Sequence, residues 1–404
     1  MANDAETRSS PAPEIVAATV LHSFGYTWPE LNDGLTYRDV VSSSDSGTTL
    51  IDYYSRKHKS SAPVEGWLMR IENGQISMDG GVVKNPNSIV SAKSELVYHR
   101  LPWKEPAAPH LLQVLYEDDD MIALNKPSGL QVLPGGLFQQ RTVLTQLQWR
   151  EACKPNCSPS NHQPHPVPVH RLGRGTSGVL LCAKTKLAKV RLAAYFADGT
   201  AIVKSSDSSC TWRKILKKYR ALVTGIVEED EVVIKQPIGI MKYPGVAKGL
   251  YVASPSDIED YSSASVKLVF MRVLVSVLGK PSLSKVKVLE RETELHQTLV
   301  EVEIQSGRPH QIRIHLAFIG HPLLGDPLYA SGGKPICFGT EVLAGNLPQD
   351  GGYQRPTNPV PGDCGYHLHA HRVELAQPIT DLVMKIFAPL PSKLQRKGEN
   401  ALDQ

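Results

Sequence analysis

Residues 170–185, HRLGRGTSGVLLCAKT, combine reactive residue types with a turn and an apolar run. Arg171 and Arg174 flank Gly173, and small residues lead from there into a buried-strand pattern. A turn of this kind commonly presents a reacting group, but Gly173 has no side chain. The pattern predicts a functional loop and leaves two interpretations of the glycine open. Gly173 either suits a tight turn with a positive φ or marks the loss of a catalytic group.

Basic residues are concentrated around this loop. Residues 170–191 contain six Lys or Arg and no acidic residue, and residues 204–220 contain six more against one aspartate. The whole chain of 404 residues has a net charge of only +4, so the local clusters carry more information than the total. They are equally consistent with solvated faces and with nucleic-acid binding.

The composition excludes several other classes of protein. Six cysteines in 404 residues are too few for a disulfide framework and indicate reduced thiols inside the cell. No window approaches the ~18 consecutive apolar residues of a membrane span. The first residues include Asp4 and Glu6 and no apolar stretch, which argues against a secretory or organelle signal. We therefore expect an intracellular, cytoplasmic protein without a membrane partner.

The chain is too long for one ordinary core, and its composition divides it. Residues 49–101 combine helical and strand patterns and predict a small α+β unit. The predicted segments are a loose N-terminal segment (1–48), the small unit (49–101), a Pro-rich linker (102–110), a large domain (111–391) with insertions at 151–166 and 331–363, and a tail (392–404).

Strand patterns dominate the large domain. Two strand-like runs flank the acidic turn at 117–120 and predict a hairpin, and Val300 and Val302 alternate with glutamates as in a half-buried strand. A helix is predicted between Pro309 and Gly320. A second helix is predicted to face the core through Leu187, Val190 and Ala194. Strands with few helices between them favour an α+β fold with antiparallel pairing.

Five segments of the large domain, in order, resemble blocks of the RluA-like RNA pseudouridine synthases, in a plant-type, eukaryotic-looking form. They are YEDDDMIALNKPSGL, HRLGRGTSGVLLCAKT, KKYRALVTG, SGRPHQIRIHLAFIGHPLLGDPLY, and HLHAHRVEL with APLP. The resemblance implies an α+β pseudouridine synthase fold with a mixed, largely antiparallel central sheet. Residues 49–101 resemble, less specifically, the small RNA-binding domain that often precedes this catalytic domain.

The resemblance also implies an activity, the isomerisation of uridine to pseudouridine in RNA. The base must detach from its sugar, rotate and rejoin through carbon, after being flipped into the pocket. This chemistry needs no cofactor and no metal. The implied partner is RNA, and we expect a monomer without an obligate protein partner.

Site residues follow from the resemblance position by position. Tyr219 matches a tyrosine that stacks on the target base, and Arg313 matches an arginine that pairs with a catalytic aspartate. That aspartate maps to Gly173. The residues expected to contact RNA are Arg171, Arg174, Lys126, Arg308, His310 and Gln311.

Three alternatives remain at this point. Another carboxylate could replace the missing one, and the candidates are Asp118, Asp119, Asp120, Asp198 and Asp326. Without a replacement, the chain would be an inert RNA-binding protein on the synthase fold. Metal sites at Cys153, Cys157, His162 and His165, or at His367, His369 and His371, are disfavoured by their spacing and context.

Overall fold

A computed structural model describes residues 14–399 apart from 60, 155–164, 202–214, 244–245, 255–278, 331, 337–348, 351–352 and 355–362. Its α-helices are α1 (Leu50–Lys57), α2 (Val64–Glu72), α3 (Val143–Ala152), α4 (Lys186–Ala201) and α5 (Gln311–Phe318). Threonine side chains cap two of them, because Thr49 and Thr142 each accept a hydrogen bond from the first-turn backbone. No helix in the described part of the chain is both long and apolar enough to cross a membrane.

The strands are short and numerous. In chain order they are β1 (Glu14–Ala17), β2 (His22–Phe24), β3 (Leu35–Val40), β4 (Ile76–Met78), β5 (Gly81–Val82), β6 (Glu95–Arg100), β7 (Leu112–Glu117), β8 (Met121–Lys126), β9 (Val167–Pro168), β10 (Ser177–Ala183), β11 (Ile215–Thr224), β12 (Glu231–Ile234), β13 (Ile238–Tyr243), β14 (Val246–Ala253), β15 (Ser284–Glu292), β16 (Gln297–Ile304), β17 (Gln349–Asp350), β18 (Tyr353–Gln354), β19 (Leu368–Ala376) and β20 (Val383–Phe387).

One large mixed sheet organises the second domain. Its main order is β12-β15-β16-β11-β19-β10-β8-β7-β2, with β20 on β19, β1 on β20 and β9 on β10. The β10–β19 and β1–β20 pairs are parallel and the other described pairs of this sheet are antiparallel. The predicted α+β fold with a mixed, largely antiparallel sheet is therefore confirmed, as is the hairpin β7–β8.

Both faces of the sheet centre are buried. Ile122 and Leu124 of β8 enter one apolar cluster, whereas their neighbours Met121 and Ala123 enter another. This alternation is expected of a strand covered on both faces. The first cluster also contains Leu172, Tyr219, Ile312 and Tyr366, so it brings together residues beside or within three of the predicted motifs.

Residues 14–48, the described part of the predicted loose segment 1–48, are not loose. The strand β1 pairs with β20 and β2 pairs with β7, so both belong to the large sheet. The strand β3 pairs with β6 in the small sheet β3-β6-β4-β5, which extends the small unit back to residue 35. These strands are short and partly polar, and their partners lie far away in sequence, so local patterning gave no signal for them.

The small unit has its own core beneath α1 and α2. Trp67 and Tyr53 are almost fully buried, and the Trp67 ring stacks on Tyr54 with centroids 4.4 Å apart. The Arg70 guanidinium lies over the Trp67 ring, with its carbon 4.4 Å from the ring centroid. The α+β character predicted for this unit agrees with its four-stranded sheet and two helices.

The predicted linker and tail both pack on the large domain. In residues 102–110, the buried Glu105 carboxylate accepts hydrogen bonds from the backbone N–H groups of Gln139, Gln140 and Arg141. In the tail, a 3₁₀ turn at Ser392–Leu394 buries Leu394, and Glu399 pairs with the buried Arg220. The Pro-rich composition predicted a linker at 102–110, and these buried contacts hold that segment against the large domain.

The helix α4 uses a different face from the predicted one. Leu187, Val190 and Ala194 are exposed, whereas Ala188, Leu192 and Tyr195 are buried against the sheet. The predicted helix between Pro309 and Gly320 is confirmed as α5, and it is buried over nearly its whole length. Of the predicted insertions, residues 155–164 and most of 337–362 lie outside the described residues.

Candidate active site

The loop that contains Gly173 is held by the turn that follows β8. The Arg174 carbonyl accepts hydrogen bonds from Gly129 N (2.8 Å) and Lys126 Nζ (3.1 Å), and the Gly175 carbonyl accepts one from Ser128 Oγ (2.7 Å). Both backbone oxygens are thus bound by the KPSG turn, residues 126–129. Two separate motifs of the sequence form one rigid corner beside β10.

Lys126 is fully buried, which contradicts its predicted contact with RNA. Its ammonium donates to the carbonyls of Pro127, Leu130 and Arg174 at 2.8, 2.7 and 3.1 Å. Burial lowers the pKa of Lys126 to about 7, against opposing effects of Cys364 and Asp363. The Lys-Pro-Ser-Gly sequence led to the prediction of an RNA contact at Lys126, but its three carbonyl acceptors make it a positioning residue.

The buried ammonium predicts a specific pH dependence of stability. Between pH 7 and 10.5 the unfolded chain binds a proton at Lys126 that the folded protein has released. The free energy of unfolding therefore rises with pH in this window, by up to about 1.4 kcal/mol per pH unit from this group. Urea titrations of the parent and Lys126→Met should differ by this slope.

Lys104→Met is the matched control, because Lys104 is largely exposed. It should keep the slope of the parent. Equal slopes in the parent and Lys126→Met would contradict the lowered pKa of the buried lysine.

Gly173 is required by space and not by backbone conformation. Its φ is not positive, so the interpretation of a glycine-only turn is wrong. A Cβ at this position would instead lie 2.9 Å from Tyr366 Oη, closer than normal Cβ contacts. The Tyr366 hydroxyl is fixed by Thr176 Oγ1 at 3.2 Å. The tyrosine hydroxyl therefore lies against the position where an aspartate side chain would begin.

Arg313 lies at the centre of the site and is almost fully buried on α5. Its Nε and Nη2 donate to the two carboxylate oxygens of Asp326, each at 2.8 Å. Its guanidinium carbon lies 4.3 Å from the Tyr366 ring centroid and 5.0 Å from that of Tyr329. The carboxylates raise the pKa of Arg313 despite its burial, so the group stays charged.

Asp326 is one of the candidate carboxylates, and the structure commits it to Arg313. Its side chain is completely buried, and its Oδ1 also accepts from the backbone N–H groups of Leu328 and Tyr329. Both carboxylate oxygens of Asp326 therefore accept hydrogen bonds from Arg313, and Oδ1 also accepts them from two backbone N–H groups, all within the protein interior. Asp326 orients the guanidinium and has no surface left to meet a substrate.

A second carboxylate contacts the same guanidinium from the open side. Asp363 forms an ion pair with Arg313 Nη1, and 34% of its side-chain surface is exposed. It lies immediately before β19 and was assigned to the insertion 331–363 in the sequence. Asp363 and Tyr366 are the two site residues that sequence analysis missed. The available signal was their position just ahead of HLHAHRVEL, the block that forms β19.

Tyr219 lies in β11 at an irregularity of the sheet. The register between β11 and β19 shifts between Lys218 and Arg220, so Tyr219 faces a bulge, a feature that often redirects side chains beside active sites. Its ring is buried in the same cluster as Leu172, Ile312 and Tyr366. No hydrogen bond from its hydroxyl is seen among the described residues, and burial raises its pKa.

The remaining predicted RNA contacts divide into two groups. Arg171 is exposed, Arg174 and Arg308 are half-buried, and the Arg174 guanidinium stacks 4.9 Å from the Phe138 centroid. By contrast, Gln311 is buried, and its amide bonds Leu283 O, Ser284 Oγ and Ser306 Oγ. Gln311 is therefore structural, contrary to the prediction.

His310, which was also predicted to contact RNA, lies at the start of α5. Its Nδ1 shares a 2.8 Å hydrogen bond with Tyr329 Oη, and burial together with Arg313 lowers its pKa to about 4. The ring is therefore neutral at physiological pH, and it cannot attract a phosphate by charge. It links α5 to the aromatic ring that covers Arg313.

The other candidate carboxylates do not reach the site. Residues 118–120 form the β7–β8 turn, at the opposite end of β8 from Lys126, about 17 Å away along the strand. The side chain of Asp198 lies outside the described residues, as do Cys157 and His162. His369 and His371 are buried and both contact Ala388 O. The described residues contain no group of three side chains suited to a metal.

Comparisons with known proteins identify the family of the chain. A profile described as RNA pseudouridylate synthase matches residues 120–318. RNA pseudouridine synthase 5 of Arabidopsis thaliana is 62% identical over 382 residues, which cover 93% of this chain and 98% of that protein. The protein of the same name from Oryza sativa subsp. japonica is 58% identical over 399 residues, with 96% and 95% covered.

Among solved structures, human RNA pseudouridylate synthase domain containing 1 matches with a TM-score of 0.44 and 21% identity, covering 71% of this chain and 86% of that one. The high identity to the plant proteins over nearly full lengths carries the assignment. The chain belongs to the RNA pseudouridine synthase family, whose members act on RNA.

Proposed function

We propose that the chain converts uridine to pseudouridine in RNA within the pocket bounded by loop 170–176, Tyr219, Arg313 and Tyr366. The flipped uracil stacks on the Tyr219 ring, and the charged Arg313 faces the reacting nucleoside beside Gly173. The observation that supports this best is the buried Arg313, held in one orientation by Asp326 and still carrying Nη1 on the open side. A fixed cation in a closed site stabilises developing negative charge strongly.

RNA is held outside the pocket by the arginines that remain accessible. Arg171, Arg174 and Arg308 lie on or near the surface around the loop and the start of α5. Their guanidiniums suit phosphate groups through paired N–H donors. Binding through phosphates weakens steeply with salt, so this assignment predicts a strong salt dependence of RNA affinity.

The protein works as a monomer inside the cell, in the cytoplasm, without a cofactor. The support for the compartment is the low cysteine content. The alternative of an inert RNA-binding protein rests only on Gly173. It is disfavoured because the pocket retains Tyr219 and an oriented Arg313 and has a second carboxylate.

The activity is tested with uridine-labelled RNA transcribed in vitro, which contains no pseudouridine at the start. The transcripts are incubated with the full chain, digested, and the nucleosides are separated. Pseudouridine that accumulates with time and enzyme concentration supports the proposal. Binding without any conversion across ribosomal, transfer and messenger transcripts would support the inert alternative.

Tyr219→Phe should lower kcat by about 10²-fold or more while leaving stability almost unchanged. Phenylalanine keeps the buried ring in its cluster, and the hydroxyl has no hydrogen-bond partner among the described residues. Loss of the hydroxyl should therefore affect the reaction and not the packing. The measurement combines single-turnover kinetics with urea unfolding.

Tyr37→Phe is the matched control, because Tyr37 lies half-exposed in the small sheet and stacks on Tyr98. It should retain full turnover. A Tyr219→Phe protein with parental kcat would show that the Tyr219 hydroxyl takes no part in the reaction and that the ring is sufficient.

A further inference from the structure

Arg313 binds two carboxylates that differ in burial and in the number of hydrogen bonds that they accept. Asp326 is fully buried and receives four hydrogen bonds from Arg313, Leu328 and Tyr329. Asp363 contacts only Nη1 of the guanidinium, and 34% of its side-chain surface is exposed to solvent. Asp326 is the orienting group, and Asp363 is the carboxylate that a bound nucleoside could meet.

The segment 363–366 is also built against the loop that lacks its aspartate. A Cβ at Gly175 would lie 2.8 Å from the Asp363 carbonyl oxygen, and a Cβ at Gly173 would lie 2.9 Å from Tyr366 Oη. Both glycines therefore leave room for this one segment. It places the Tyr366 hydroxyl against position 173 and brings a carboxylate to Arg313.

We propose that Asp363 supplies the carboxylate that Gly173 cannot, and that it acts directly on the ribose of the target uridine. This inference rests on the proposed function. It assigns a catalytic role to a residue outside the signature loop. Its partner Arg313 holds the carboxylate beside Tyr366 and away from Asp326.

The assigned step balances without any further reagent. One carboxylate oxygen of Asp363 attacks C1′ as the C1′–N1 bond breaks, and the bonding pair leaves with the base as the uracil anion. The base rotates, and C5 attacks C1′ while the C1′–O bond breaks and returns its electron pair to Asp363. The Tyr219 hydroxyl then relays the C5 proton to solvent, and N1 takes one from solvent.

The first test is Asp363→Asn. The asparagine carbonyl can still accept a hydrogen bond from Arg313 Nη1, but the neutral amide is a poor nucleophile. A residue that only positions Arg313 should therefore tolerate this change. We expect kcat to fall by at least ~10³-fold, with RNA affinity within twofold of the parent. Asp363→Glu keeps a carboxylate and should retain at least tenfold more activity than Asp363→Asn.

Asp119→Asn is the matched control, since Asp119 is an exposed aspartate in the β7–β8 turn. It should match the parent in kcat and affinity. Asp363→Ala is made alongside, so that a folding defect in one variant leaves the other to decide. Folding is checked by thermal unfolding and by RNA binding.

The second test returns the carboxylate to the signature loop. In Gly173→Asp/Tyr366→Phe/Asp363→Asn, the phenylalanine removes the hydroxyl that blocks a Cβ at 173. We expect this triple variant to regain at least tenfold over Asp363→Asn. Tyr366→Phe/Asp363→Asn serves as its background, and Gly173→Asp/Tyr366→Phe is made alongside.

The outcomes separate this inference from the proposed function. An active parent with inactive Asp363→Asn and Asp363→Ala supports both. An active parent with fully active Asp363→Asn overturns the role of Asp363 and leaves the function intact. An inactive parent with active Gly173→Asp/Tyr366→Phe overturns the role of Asp363 and shows that the pocket lacks a carboxylate. Inactivity of every protein overturns both.

Discussion

Arg313→Ala is expected to lower the free energy of unfolding by about 3–5 kcal/mol and to abolish pseudouridine formation. The substitution leaves the Asp326 carboxylate fully buried with only two backbone N–H donors. It also removes the cation between the Tyr366 and Tyr329 rings. The loss of stability is measured by urea unfolding, and the loss of activity by turnover with labelled RNA.

Two variants identify the cause of this loss. Arg313→Ala/Asp326→Asn removes the orphaned charge, and it should recover part of the stability but none of the activity. Arg38→Ala removes an exposed arginine whose side chain is 66% accessible, and it should cost less than about 1 kcal/mol. If the double variant were as unstable as the single one, the buried charge would not be the cause.

Gly178→Ala is expected to be more damaging than any change on the surface, with a loss above about 4 kcal/mol. Gly178 pairs with Ala370 where β10 and β19 run parallel, and its φ is +107°. An added Cβ would lie 2.3 Å from Ala370 O and 2.6 Å from Ala370 N. Backbone atoms cannot move aside as a side chain can, so the two strands must separate. Expression level and urea unfolding measure the effect.

Gly80→Ala is the control that distinguishes the clash with Ala370 from the cost of a positive φ. Gly80 also has a positive φ, +86°, but an added Cβ there meets nothing within 4 Å. It should cost only about 1–2 kcal/mol, the usual penalty for a side chain in a left-handed conformation. Equal losses in the two variants would show that conformation, and not the approach of β19, makes Gly178 necessary.

Much of the fold followed from local pattern. Val300 and Val302 are fully buried in β16, and the helix between Pro309 and Gly320 is present as α5. The face of α4 could not be read in the same way. The small Ala188 allows close contact with the sheet, whereas the larger Leu187 and Val190 point outward. Periodicity permits several faces, and packing against β10 and β11 selects one.

The sequence predicted only those site residues that lie within recognisable motifs. Tyr219 and Arg313 were found from their blocks, and the structure brings their neighbourhoods into one cluster. Lys126 was misinterpreted because a sequence does not reveal that three carbonyls surround an ammonium. Asp363 was missed because it is 190 residues from Gly173 in sequence (363 minus 173). The parallel pairing of β10 and β19 helps to bring its segment to the loop.

The position of β19 has a consequence for synthesis on the ribosome. This strand lies between β10 and β11, yet it is made long after both of them. After β11 ends at Thr224, the 143 residues up to 367 must be translated before β19 begins (367 minus 224). At about 5–20 residues per second this takes roughly 7–29 s. The strand β16 is complete only at Ile304, and from then until β19 is made the edges of β10 and β11 that β19 joins stay unpaired, so the large sheet cannot close and the protein cannot yet modify RNA.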